Sequence, residues 1–194
     1  MKKIILTLTV CLCLGVSYGQ TTNSKTKTKA KTAVKPVASS SLLSYDNKEN
    51  KIKLQYPKTW ELTDTITDAV FYIFAPEEEN DQFRENISMS SEDISQSDVS
   101  FKEYVEQNLV GIKDGSTILD FKETSSKYFT WNGKPAFEIT YTGKVSEVSF
   151  PLTWHQRFVF NKGKAYILTY SAEGERKDPY ISAVKSLMNS VKFY

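Results

Sequence analysis

Both cysteines of this 194-residue chain, Cys11 and Cys13, sit inside one apolar run close to its first residue. Met1-Lys2-Lys3 gives a positive start, Ile4 to Val16 the apolar stretch, and Ser17-Tyr18-Gly19 places small residues where a cleavage site needs them. That is the three-part pattern of a secretory signal peptide over residues 1–19, and the apolar run is short for a bilayer crossing. A lipoprotein leader needs a small residue directly before its cysteine, whereas Val10 precedes Cys11 and Leu12 precedes Cys13. The exported chain is therefore expected to hold no thiol and no transmembrane segment, and disulfide, thiolate–metal and cysteine-nucleophile chemistry drop out together. A fold without staples has to stand on its hydrophobic core. Gly15-Val16-Ser17-Tyr18-Gly19 matches the G-x-S-x-G nucleophile elbow, but a polar tail follows it instead of a helix, so the motif lacks the context that gives it chemistry.

Residues 20–40 contain no aromatic residue and no acid, and five lysines: Lys25, Lys27, Lys29, Lys31 and Lys35. Such a segment cannot bury enough apolar surface to offset its ordering entropy, so a flexible linker is expected. The remaining 18 basic residues beyond residue 40 face all 23 acids, so an overall charge of +2 hides a body of −5. The Lys-rich linker is read mainly as a solvated spacer. Peripheral contact with an anionic lipid or envelope polymer, at about 1 kcal/mol per lysine, is the alternative. An acidic exported body is a poor nucleic-acid binder, and no nucleic-acid partner is expected.

Residues 41–194 are expected to form one domain in which strands dominate. Leu42 to Tyr45 and Lys51 to Gln55 pair across a turn, Trp60 to Thr63 alternates, and Val70 to Ala75 is apolar on both faces, as in a sheet centre. Asn86 to Ser90 alternates again. The period then changes: Phe101, Tyr104, Val105, Leu109 and Ile112 share one helical face behind the cap Ser100. Strands follow at 118–123, 128–131, 134–142, 150–160 and 164–171, with Asn132-Gly133 and Asn161-Lys162-Gly163 as hairpin turns. A last helix is expected from Asp178-Pro179, burying Ile181, Val184, Met188 and Val191. Hairpins with one helix midway and one at the end read as α+β around an antiparallel sheet.

Several segments together resemble the PsbP-like domain family. They are Tyr56-Pro57-Lys58-Thr59-Trp60, the helix opening Ser100-Phe101-Lys102-Glu103-Tyr104, Asn132-Gly133-Lys134-Pro135-Ala136-Phe137 with its continuation to Tyr141, Lys164 to Tyr170, and Val191-Lys192-Phe193. The resemblance spans nearly the whole domain and implies an α/β/α sandwich, a central antiparallel sheet flanked by helices. Members include an extrinsic subunit of the oxygen-evolving photosystem, a Ran-binding nuclear import factor and many exported bacterial proteins. No shared catalytic residues come with the fold, and fold does not dictate function.

His155 is the only imidazole, and a zinc site would need three carboxylates or waters beside it, so a structural sheet histidine is the first reading. On its strand it shares a face with Thr153 and Arg157, opposite Trp154, Phe158 and Phe160. Glu77, Glu78, Glu79 and Asp81 form an acidic loop, the best place for weak calcium binding, which relatives of this family are associated with. The spacing of a dedicated calcium loop is missing, which favours a solvated loop. Tyr56, Trp60, Trp131, Trp154 and His155 are the candidates for a ligand or partner groove, against the alternative that the aromatics are core. No Walker loop, G-x-G-x-x-G or H-E-x-x-H is present, so no cofactor is expected. The sequence therefore points to an exported, non-enzymatic binding or accessory protein of the cell envelope, secreted or periplasmic, acting through protein contacts. Its rivals are an exported hydrolase using carboxylates or His155, and a small-molecule or lipid carrier.

Overall fold

Alternating apolar and polar residues build two antiparallel sheets. The computed structural model describes residues 41–79, 82–174 and 178–194; the expected leader and linker, residues 1–40, lie outside the described residues. In chain order the elements are β1 Leu42–Asn47, β2 Ile52–Pro57, β3 Glu61–Thr63, β4 Phe71–Phe74, β5 Asn86–Asp93, α1 Phe101–Lys113, β6 Leu119–Trp131, β7 Lys134–Lys144, β8 Leu152–Asn161, β9 Lys164–Glu173, α2 Ile181–Ser190 and β10 Lys192–Phe193. Seven strands form the main sheet in the order β3-β4-β5-β9-β8-β7-β6, and β1-β2-β10 form a small one.

The period-2 pattern of the central strands decides where the two cores lie. On β8, Leu152, Trp154 and Phe158 turn to one face, where they pack with Phe137, Ile139 and Tyr141 of β7 and with Tyr104, Val105 and Ile112 of α1. Tyr141 and Trp154 stack there at 5.2 Å between ring centroids. The other face receives Val159 of β8, Tyr166, Leu168 and Tyr170 of β9, and Val184, Leu187 and Met188 of α2, with Ile52 and Leu54 of β2 closing over it. Each face thus carries one helix, and the small sheet shares the cover on the α2 side. Of the expected sandwich of a central sheet flanked by helices, the structure shows the coarser part: a sheet-rich antiparallel α+β fold with two helices among the described residues.

Local chemistry explains the helix starts. Ser100 accepts from the Glu103 backbone N–H while the Glu103 carboxylate accepts from the Ser100 N–H, a complete capping box. The second helix begins at Ile181 rather than at Pro179, with no side-chain cap on its first turn. Asp178 is occupied elsewhere, accepting from the Tyr180 N–H at 2.7 Å and from the Tyr170 hydroxyl at 2.9 Å.

Two expectations about strands need correction. The apolar run at β4 does not sit at the sheet centre but second from an edge, shielded by the three-residue β3; β9 takes the central place. The two strands expected at 118–123 and 128–131 are one 13-residue edge strand, β6, carried through its polar middle with register shifts near Asp120 and Thr124. Bulges and exposed lysines are the usual means of protecting such an edge.

Trp60 is 5% exposed and meets the Tyr180 ring edge-on at 5.6 Å. Trp60→Ala is expected to cost about 3–5 kcal/mol in urea unfolding, the range for truncating a buried large aromatic. A loss under about 1 kcal/mol would mean that the site can collapse around the missing ring.

Candidate functional site

Alternation on β8 leaves Thr153, His155 and Arg157 facing α2, and a cleft of about 300 Å³ lies there between that helix and strands β6 to β8. Its apolar floor comes from Ile181, Val184 and Met188 of α2, and its polar wall from Glu138, Thr140, His155 and Arg157 of the sheet. Lys185 and Asn189, one turn apart on α2, form the rim.

The wall is held by cross-strand pairing. Thr140 of β7 lies opposite His155 of β8, and its hydroxyl is 2.9 Å from His155 Nδ1. Glu138 lies opposite Arg157. The guanidinium donates from Nε to Glu138 Oε2 at 3.1 Å and from Nη1 to Asn189 Oδ1 at 2.9 Å, tying sheet to helix. It also lies over the rings of Phe129 and Trp131, 5.5 and 5.4 Å from their centroids. Lys127 of β6 holds the second Glu138 oxygen at 3.1 Å. Arg157 is thereby fixed in one orientation, whereas Lys185 has no carboxylate partner among the described residues.

Burial lowers the pKa of His155 below its ordinary value. The nearby Lys185 and Arg157 charges push the same way, while Asp178 and Glu138 pull it up. The imidazole is therefore neutral at neutral pH, with its Nδ1 side engaged by Thr140. The Tyr170 ring lies 6.1 Å from it, and burial followed by the Asp178 charge raises that phenol's pKa far above its ordinary value.

The five groove candidates do not gather at this place. Trp60 and Trp131 are core on the α2 side, and half-buried Tyr56 packs against the same cluster. Trp154 lies through the sheet, in the core on the α1 side. Only His155 lines the cleft. The acidic loop is also dispersed: Glu77 stands 3.8 Å from Arg84, Glu78 accepts from the Tyr180 hydroxyl at 2.7 Å, and Asp81 lies outside the described residues. Among the described residues no three acid, histidine or cysteine side chains form a group able to hold a metal ion. Glu138, Thr140, Lys185 and Asn189 were not singled out from the sequence. Only the shared face of His155 and Arg157 pointed toward them, because cross-strand neighbours depend on a register that a single strand does not encode.

The sequence matches the PsbP-like protein family over residues 3–193, and the chain belongs to that family. No curated protein matches the sequence. Among solved structures, cyanobacterial PsbP (CyanoP) of Synechocystis sp. PCC 6803 is 17% identical, with a TM-score of 0.56 over 84% of this chain and 98% of that one. LpqN of Mycobacterium tuberculosis, described as involved in cell envelope biogenesis, is 15% identical, with a TM-score of 0.56 over 78% and 89%. A Pseudomonas aeruginosa protein of unknown function, PA94, is 18% identical, with a TM-score of 0.54 over 77% and 94%. At these identities the likeness is one of fold. No helix among the described residues is long and apolar enough to cross a membrane.

A histidine whose pKa is lowered on folding binds fewer protons in the folded state than in the unfolded one. Its contribution is therefore fully present above the unfolded value near 6.5 and is lost as pH falls from there toward the folded value. The midpoint of thermal unfolding should drop as pH falls below about 6.5, and His155→Gln should flatten that limb. An unchanged limb in the variant would place the sensitivity on carboxylates.

Proposed function

We propose that the chain is an exported, non-enzymatic accessory protein of the cell envelope, in which the PsbP-like domain of residues 41–194 presents the His155 cleft to a protein partner. The observation that carries this reading is the composition of the cleft. An apolar floor of Ile181, Val184 and Met188 is bordered by a fixed guanidinium, the amide of Asn189 and the exposed Lys185. Apolar anchors inside a polar rim are the usual makeup of a recognition surface. His155 is engaged by a threonine hydroxyl rather than oriented by an acid, an arrangement that suits a wall better than a general base. The polar wall also suits a protein contact better than the enclosed apolar cavity of a lipid carrier. The leader over residues 1–19 and the linker over 20–40 supply export and reach. LpqN, a structural relative described by its part in cell envelope biogenesis, is consistent with an envelope role.

The test is cross-linking with mass spectrometry on the tagged, exported chain in its native envelope, with a photoreactive residue at Ser182 beside the cleft. A reproducible partner is expected, and Lys185→Glu combined with Asn189→Ala should reduce its capture at least about tenfold, as for central contact residues. His155→Ala should weaken capture less than about threefold, as for a wall residue beside the main contacts, whereas a hydrolase relying on that imidazole would lose about 10²–10⁴-fold in rate. Capture that is indifferent to Lys185 and Asn189 would remove the cleft from the account.

A further inference from the structure

Three turns and the last strand converge at one end of the main sheet. They are residues 48–51 between β1 and β2, Asn132-Gly133 between β6 and β7, Lys162-Gly163 between β8 and β9, and β10 beside β2. Tyr194 joins them. Its backbone N–H donates to the Lys51 carbonyl and its own carbonyl accepts from Lys162 Nζ, each at 3.0 Å. The ammonium groups of Lys53 and Lys51 lie 4.7 and 5.9 Å from its ring centroid. Lys164 Nζ reaches Asn50 Oδ1 at 3.1 Å, and Lys192 is the cross-strand partner of Lys53. With Lys48 in the first turn and Lys134 directly after Gly133, seven lysines share this end.

Five acids stand with them, Asp64 and Asp68 across the hollow that Lys164 also lines, and four are engaged, Asp64 by the Tyr45 hydroxyl and Asp68 by the Tyr72 hydroxyl. Asp46 accepts from the Tyr194 hydroxyl at 2.6 Å and pairs with Lys53 at 3.5 Å, while Asp93 holds the Ser95 N–H at 2.8 Å; Glu49 is exposed. The rest of the chain beyond residue 40 carries 18 acids and 11 bases, so an acidic body gathers a small net positive charge at one end. Backbone conformation does not account for the lysines at two of these tips. Lys51 and Lys162 have φ of 55° and 50°, in the left-handed region, where the sister turn uses Asn132 at 52°. Asparagine and glycine adopt that region at lower cost than lysine; what lysine adds there is its charge.

The neighbouring hollow says what kind of anion this end can meet. It measures about 540 Å³ and is walled by Glu49, Asp64 and Asp68, which would repel a polyanion threaded into it. The lysines are reached instead by a surface laid across the turn tips. Tyr194, 40% exposed among them, is an amphipathic ring of the kind that rests at headgroup level. We propose that this rim docks on an anionic phospholipid bilayer, with its lysines against lipid phosphates and Tyr194 at the headgroups.

The experiment uses the exported chain, residues 25–35 unchanged, with phosphatidylcholine vesicles containing about 30% phosphatidylglycerol, at low and physiological salt. Lys51, Lys162 and Lys192 are changed together to Gln, and as a control Lys58, Lys102 and Lys122 are changed together to Gln. The expected result is salt-sensitive vesicle binding that falls at least about tenfold in the rim variant and less than about twofold in the control. Equal losses, or no binding to anionic vesicles, overturn the proposal. Rim-dependent binding to soluble dextran sulfate without vesicle binding overturns it in favour of an anionic polymer. Because Lys162 also holds the last strand, a second measurement leaves these lysines in place. An environment-sensitive fluorophore at Lys48→Cys should respond to anionic vesicles, and one at Thr117→Cys, at the far end of the sheet, should not. Equal responses at the two positions contradict the docking.

Discussion

Burial of two opposite faces of one sheet, without covalent staples in the described domain, is the constraint on which the other features depend. A seven-stranded sheet buried on one side only would expose an apolar surface too large for a monomer to carry in water. The chain meets this with strict alternation along β7, β8 and β9, which sorts Trp154, Phe158 and Tyr141 to one core and Val159, Leu168 and Tyr170 to the other. Each core needs a lid, and the two helices are placed in the chain where each can serve as one. Large aromatics are consumed by this task, since each buries more area than any other side chain. That is why the tryptophans, attractive as ligand-binding residues, are found in the cores instead.

The cleft is a by-product of how the α2 lid is held. The C-terminal end of α2 is tied down by Ser190, whose hydroxyl hydrogen-bonds both the backbone N–H and the carbonyl of Gln55, and by Asn132, which donates to the Val191 carbonyl at 2.8 Å. Just before its first turn, Tyr180 packs edge-on against Trp60. Between these anchors the helix crosses strands whose facing residues are Glu138, Thr140, His155 and Arg157, too polar to close completely against Val184 and Met188. Arg157 bridges the gap to Asn189 rather than filling it. A packed lid thus leaves a shaped, partly charged hollow whose walls are fixed by the sheet register.

What could be read from the sequence follows the same physics. Both hairpin turns, the cap at Ser100 and the strands β7, β8 and β9 were legible, because turn chemistry, caps and one-sided burial each leave a local pattern. The face shared by His155 and Arg157 was legible for the same reason. The continuity of β6 was not: an edge strand exposed on both faces has no apolar alternation from Lys122 to Lys127 to reveal it. Nor was the order of strands that puts β4 beside the edge, or the short β10, because strand order is set by long-range pairing. The start of α2 was misplaced because Asp178 has the character of a cap but is claimed by Tyr170 across the fold. Glu138 and Lys185 join His155 only through register and helix docking, which no local pattern carries.

The most direct measurement is hydrogen exchange by mass spectrometry on the chain, free in solution and mixed with a cell-envelope fraction. If the α2 side of the sheet is the recognition surface, exchange should slow on binding in α2, residues 181–190, and in the facing segments 136–144 and 152–161, while α1 is unchanged. Protection confined to β6 or to α1, with α2 exchanging as in the free chain, would contradict the account, because the lid would then be a structural cover and the contact surface would lie elsewhere.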